Sequence, residues 1–197
     1  MGRTRSQLRS NVFQLFGEGA GYITPNDINE WLKEGYSEYA SLSKYLVAYQ
    51  TLPVINNMII LPVGFDELIY IDSGNKTYWV EYEMITNAII LRPYDNNEVP
   101  AQVNLKYFSS PSSTSGAVFP QLTDDNSTTA LSEMGDKALI YYALSRCYQA
   151  DNRNNIANDT YRKFIDSANV EFTRIAKLHT KPTIFTSAWS GKITRMK

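Results

Sequence analysis

The sequence predicts an α+β fold: an antiparallel helical bundle with an inserted small antiparallel β unit and an extended C-terminal tail. Three observations predict it. Apolar residues recur every three or four positions near both ends of the chain, the period of an amphipathic helix. Between these regions the period shortens to two and β-branched and aromatic residues dominate. Past Glu171 there is no acidic residue, while Arg174, Lys177, Lys181, Lys192, Arg195 and Lys197 are basic and His179 can add charge. The expected layout is one domain over residues 1–197, with helices in 4–50 and 131–178, the β insertion in 52–108, a linker in 109–130 and the tail in 180–197.

Leu8, Val12, Leu15 and Phe16 mark a short first helix from Thr4 to Phe16, which Gly17-Glu18-Gly19-Ala20-Gly21 ends. This glycine run neither follows a strand nor carries the Gly-Lys-Ser/Thr of a phosphate loop, so a helix stop and turn is expected. Thr24-Pro25-Asn26-Asp27 opens the second helix. Thr24 can cap, Pro25 suits the first helical position, and Asp27 favours the positive helix end while closing a capping box. Ile28, Trp31, Leu32, Tyr39, Leu42 and Leu46 then extend an amphipathic face to about Tyr49.

Strands are expected at Met58–Leu61, Glu67–Ile71, Thr77–Tyr82, Ala88–Leu91 and Gln102–Phe108, with Asp72-Ser73-Gly74-Asn75-Lys76 as a hairpin connection. Pro53, Pro62, Pro93 and Pro100 fall near strand ends, where a missing amide donor costs least. Ser109 to Ala130 is rich in Ser, Thr, Pro and Asp, and Phe119 and Leu122 are the expected anchors of its return to the helices. Met134, Ala138, Tyr141, Tyr142, Leu144, Ser145 and Tyr148 mark a third helix. Ala157, Tyr161, Phe164, Ile165, Ala168, Phe172, Ile175 and Ala176 mark a fourth from Asn154 to Leu178, and the polar turn Asp151–Asn155 folds the pair into a hairpin.

With 43% apolar and 20% charged residues among 197, the chain can bury a core. A net charge of -1 excludes a globally basic nucleic-acid binder, so any role for positive charge is local. One cysteine, Cys147, excludes an internal disulfide framework and a multi-cysteine metal site, and its place on a tyrosine-rich helix reads as core. Met1-Gly2-Arg3-Thr4-Arg5 is followed by no apolar run, and no stretch reaches membrane-spanning length. A soluble protein made in a reducing compartment, with no membrane partner, is expected.

Catalytic groups are scarce. His179 is the one histidine, which excludes zinc sites built on two or three histidines within one chain. Glu81 and Glu83 share a strand face by their spacing and form a conceivable carboxylate pair, although a solvated strand face is the stronger reading because no neighbouring motif supplies a substrate pocket. Asp124-Asp125-Asn126-Ser127-Thr128 lacks the glycine and terminal glutamate of a calcium loop and reads as a turn. Lys106-Tyr107-Phe108 mixes a base with aromatics but has no glycine-framed RNA-binding signature. No catalytic residue, cofactor or metal is expected, and the chain is not expected to be an enzyme.

The tail is the remaining functional candidate. Pro182 stops the preceding helix, and nothing local orders Thr180 to Gly191. A frayed terminus is one reading. Phe185, Trp189 and Ile193 favour the other, a segment ordered by a partner, because disordered chains are poor in aromatic and branched apolar residues.

The order of pieces, with Thr24-Pro25-Asn26-Asp27-Ile28-Asn29-Glu30-Trp31-Leu32-Lys33-Glu34-Gly35 in the second helix, Phe119-Pro120-Gln121-Leu122 before the third, Ala138-Leu139-Ile140-Tyr141-Tyr142-Ala143-Leu144 within it and Ala157-Asn158-Asp159-Thr160-Tyr161-Arg162-Lys163-Phe164 in the fourth, resembles the head-to-tail adaptor (connector) proteins of tailed bacteriophages. The likeness covers about Arg3 to Leu178. It implies a virion structural protein, made in the bacterial cytoplasm, whose twelve-subunit ring docks beneath the portal protein. Such a ring extends the channel for genomic DNA, which passes without specific binding, and gives tail or tail-nozzle proteins their platform. The resemblance makes Phe185, Trp189, Lys192, Ile193, Arg195 and Lys197 the expected portal-docking residues. The alternative is a nucleic-acid-binding module that uses the same basic tail.

Overall fold

The computed structural model of the chain describes residues 2–17, 21–72, 78–83, 87–93, 98–112, 118–179 and 194–195. These form a mixed α+β fold with four helices and small antiparallel sheets, divided into two compact units. The first unit holds residues 1–46 and 109–179, with all four helices. The second holds residues 47–108 together with a short C-terminal strand.

Helix α1 (Arg5–Phe16) starts from a capping box in which the Thr4 hydroxyl accepts from the Gln7 amide and the Gln7 side chain accepts from the Thr4 amide. It ends at Gly17, whose φ of +91° favours glycine and whose N–H donates to the Phe13 carbonyl. Helix α2 (Pro25–Ser43) opens with the expected Thr24/Asp27 box: the Asp27 amide donates to Thr24 Oγ1 at 3.2 Å and the Thr24 amide to Asp27 Oδ2 at 2.8 Å. It is shorter than its apolar spacing indicates. Lys44 turns left-handed at φ 52° and stops the helix, and the residues up to Tyr49 enter a strand instead.

Helix α3 (Glu133–Ala150) is capped by Ser132, with Glu133 and Asp136 in its first turn where negative charge favours the helix dipole. Asp151–Arg153 then turn the chain back through Asn152 at φ 58°, and α4 (Asn154–His179) packs along α3. Tyr39 from α2, Tyr142 from α3 and Phe164 from α4 are all buried at the centre, with the Phe164 ring 6.1 Å from Tyr39 and 5.1 Å from Tyr142. Leu8 and Val12 close this core from α1, and Leu122 enters from the connecting stretch with Phe119 packed against it. Buried Thr160 is tolerated on α4 because its hydroxyl donates to the Ile156 carbonyl one turn back.

The segment that returns to the helices is stapled rather than free. Arg9 grips Asp125 with Nη1 at 2.7 Å and Nη2 at 3.0 Å, and Arg5 reaches Asp125 and the Leu122 and Thr123 carbonyls. Buried Asp136 accepts from the Arg3 amide and the Thr129 hydroxyl, tying the start of the chain to α3.

In the second unit, β1 (Val47–Pro53), β6 (Gln102–Ser109) and β3 (Phe65–Asp72) form one sheet in the order β1-β6-β3. β2 (Met58–Ile60), β5 (Ala88–Pro93), β4 (Tyr78–Glu83) and β7 (Thr194–Arg195) form a second, in the order β2-β5-β4-β7. Asn56 and Asn57, both at positive φ, make the tight turn from β1 to β2. β1 was not expected as a strand, because Leu42, Leu46 and Tyr49 prolong the helical spacing of α2. β3 and β4 fall in different sheets, and the hairpin connection expected at Asp72-Ser73-Gly74-Asn75-Lys76 lies, past Asp72, outside the described residues.

Two outcomes follow from this packing. A Cβ on Gly35 would lie 2.8 Å from the Tyr142 ring, inside contact distance. Gly35→Ala should therefore destabilise the protein by about 1–3 kcal/mol in urea unfolding, although the same change on an open helix surface stabilises by about 1 kcal/mol.

The second outcome concerns acid. Arg9 and then Arg5 hold the Asp125 carboxyl down at about 2, so its contribution is complete above the unfolded value of 3.8 and is lost as pH falls towards 2. Burial raises Asp136 instead, and protonating it favours the fold as pH falls through its folded value. Asp125→Asn should lower the urea midpoint at neutral pH and flatten the loss of stability between pH 3.8 and 2, read from midpoints measured across that range.

Candidate functional site

Of the six expected tail contacts, Arg195 lies in β7, where it pairs with Trp79 of β4 while Thr194 pairs with Val80. Phe185, Trp189, Lys192, Ile193 and Lys197 lie outside the described residues. β7 is a two-residue edge strand held by backbone pairing, which engages amides and carbonyls rather than side-chain chemistry.

The other chemical candidates are dispersed. Glu81 and Glu83 sit on one face of β4 opposite Ile90 and Ala88, so the facing rungs of β5 supply neither an acid nor a base. His179 is the last residue of α4. Cys147 is fully buried, and burial pushes its thiol up to about 12, which keeps it protonated and unreactive at neutral pH. Asp124 Oδ1 accepts from the Asn126 and Ser127 amides, both at 2.9 Å, closing the turn expected there. Among the described residues no group of three or more His, Cys, Asp or Glu could hold a metal ion, and no helix is long and apolar enough to cross a membrane.

Two features escaped the sequence reading. The first is a groove of about 680 Å³ between the start of α3 and the later part of α4, lined by Tyr45, Glu133, Lys137, Glu171 and Arg174 among others. Glu171 is 1% exposed, and Arg174 meets both of its oxygens, Nε at 3.1 Å and Nη2 at 2.7 Å. The guanidinium lies 5.8 Å from the Tyr45 ring centre. At the rim Lys137 pairs with Glu133 at 3.1 Å. The groove thus sets balanced charge and two outward-facing cations around a mostly apolar lining. Both Glu171 and Phe172 fit the three-to-four spacing between Ala168 and Ile175; the carboxylate goes inward and Phe172 stays 46% exposed because Arg174 supplies a counter-ion one turn on.

The second is the outer face of the β1-β6-β3 sheet. β6 buries Val103, Leu105 and Tyr107 and turns the alternate set outward. There Lys106 lies 4.9 Å from the Tyr49 ring centre and 5.5 Å from that of Tyr70, and the two rings meet edge-on at 6.4 Å. Tyr49 is 60% exposed, and on the next rung Thr51 donates to Asn104 at 2.7 Å. Lys106 was visible in the sequence, but its partner Tyr49 was assigned to a helix.

No known protein family matches the chain, and no curated protein is similar to it in sequence.

The buried ion pair has a measurable signature. Arg174→Ala leaves the Glu171 carboxylate buried and unpaired and should cost about 1–3 kcal/mol. In a Glu171→Leu background the same substitution should cost a small fraction of that. A double-mutant cycle in urea reads the difference.

Proposed function

We propose that the chain is a head-to-tail adaptor, a virion structural protein at the head-tail interface, synthesised in the bacterial cytoplasm. It forms a ring of about twelve copies on the portal protein, extends the channel for DNA and presents a platform to tail proteins. The observation that carries this reading is the order of elements. Two capped helices, a β unit that leaves after α2 and returns before α3, the packed pair α3 and α4, and a basic aromatic tail follow in the order that an adaptor with an inserted β unit requires.

Physical features of the surface support it. Leu15, Leu42, Ile156, Val170 and Phe172 are large apolar side chains exposed on the helices, each available to a contact between subunits of the proposed ring. A net charge of -1 suits a channel wall, because each neutralised phosphate would add salt-dependent binding and slow the passage of DNA. Phe185 and Trp189 have the chemistry of interface anchors, and Lys192, Arg195 and Lys197 that of a rim facing an acidic portal surface. The proposed role is structural and uses no catalytic residue or cofactor.

Purified chain mixed with portal rings should give portals carrying one additional ring in electron micrographs, and a chain ending at His179 should leave them bare. Replacing Phe185 and Trp189 together by Ala should weaken docking by at least about tenfold, the scale of an aromatic hot spot. Portals left bare by the full chain overturn the reading.

A nucleic-acid-binding module is the second reading, favoured by Lys106 between Tyr49 and Tyr70 as well as by the basic tail. It requires DNA affinity in the isolated chain that falls steeply with salt and drops on Lys106→Ala. The adaptor reading expects weak binding that Lys106→Ala leaves unchanged, and filter binding across a salt series separates them.

A further inference from the structure

We infer that the β4 edge is a strand-acceptor site for a second copy of this chain: in the assembled ring, the Thr194–Arg195 strand of one subunit pairs with β4 of its neighbour. The inference rests on the ring reading above, and three observations carry it. β4 is the strand at which the β2-β5-β4 part of the sheet stops, and among the described residues the segment paired to its outer edge is β7, through Trp79 opposite Arg195 and Val80 opposite Thr194. The occupant that fits this edge is therefore this peptide, and every copy in a ring carries both the peptide and the edge.

Among the described residues the pairing is also two residues long, against six for β4 with β5. So short a ladder contributes few backbone hydrogen bonds and does not fix which copy supplies the strand. Finally, residues 180–193 separate the end of α4 from β7, and a segment of that length reaches about 45 Å when extended. That span lets the strand leave its own β4 for an adjacent subunit without disturbing α4.

Exchange of an identical element is a low-cost route from monomer to assembly, because the bonds made are the bonds broken. In the ring the neighbour's edge is held at high effective concentration, and exchange closes the circle with one strand per interface. An open sheet edge is a hazard that proteins cover, and the strand covers it in both states. Since the ladder uses only backbone groups, the aromatic and basic side chains of the tail are left to the portal.

Cysteine pairs across the rungs test the exchange in a Cys147→Ala background. Directly opposed positions in an antiparallel ladder meet the Cα spacing that a disulfide needs. Chains carrying only Val80→Cys are mixed with chains carrying only Thr194→Cys, a rung that keeps every proposed docking residue, assembled on portal rings, oxidised and run on denaturing gels. Trp79→Cys with Arg195→Cys provides a second rung, read only in rings that the unsubstituted chain also forms.

The expected result is a covalent dimer from the mixed ring fraction, none from the monomer fraction, and a ladder of multimers when both cysteines are on one chain. Rings that assemble but yield only intrachain disulfides from the doubly substituted chain, with no dimer from the mixture, overturn the exchange and leave the adaptor reading standing. A chain that remains monomeric with portals present overturns both.

Discussion

The Ser109 amide donates to the Leu46 carbonyl at 2.8 Å, and the helical core depends on that closure. The chain leaves the helices at Leu46 and returns at Ser109, so the departing and returning backbones must lie side by side. β1 and β6 make them do so, pairing from Val47 opposite Phe108 to Pro53 opposite Gln102. With the exit and return joined, the inserted residues hold α2 and α3 no further apart than a short loop would, and the two helices can pack as if consecutive. Tyr36, Tyr39 and Ala40 on α2 and Ala138, Leu139 and Tyr142 on α3 belong to one buried cluster for this reason. An insertion without a paired stem would hold these ends apart by chain entropy and oppose that packing.

The elements with a local chemical signal were legible in the sequence, and those fixed by long-range pairing were not. Thr24-Pro25-Asn26-Asp27 carries its own hydrogen-bond partners, so the start of α2 is written in four residues. The end of α2 is not: Leu42, Leu46 and Tyr49 preserve the helical spacing, and the chain stops at Lys44 because the next residues find a strand partner more than fifty positions away. Register with β6, invisible to any local window, outweighs helix propensity there. The same distance hid the Tyr49, Lys106 and Tyr70 cluster, whose members come from β1, β6 and β3.

The buried acids show the limit of apolar periodicity from another side. A carboxylate on a core stripe is unfavourable unless ionic or hydrogen-bonding partners come with it. Glu171 brings Arg174 on the next turn, and Asp136 takes donors from Arg3 and Thr129, both supplied by segments that look like linker or terminus in the sequence. Such positions carry specificity more than stability. An apolar residue would pack at either, but it would not pull the Arg3 amide and the Thr129 hydroxyl onto α3 and so fix the path of the return segment. Asp125 acts outside the core in the same way, drawing Arg5 and Arg9 of α1 onto the stretch around Leu122. Two carboxylates, Asp136 and Asp125, thus determine where a stretch rich in Ser, Thr and Asp runs, although composition alone marks it as a loose connector.

The tail poses the opposite problem, because its chemistry is plain and its place is set by something other than local signal. Lys192, Arg195 and Lys197 with Phe185 and Trp189 form a poor surface for water and a good one for a partner, yet the only pairing the described residues show uses none of that chemistry. A backbone ladder at a sheet edge is indifferent to side chains, and a side-chain anchor is indifferent to how the backbone is held, so one short segment can serve two neighbours without either contact weakening the other. This separation of duties also accounts for where the strand lies. An edge strand is the one position in a sheet that can be given up without unpairing a second ladder, so the exchange proposed above requires its segment at the edge of β4 and nowhere deeper.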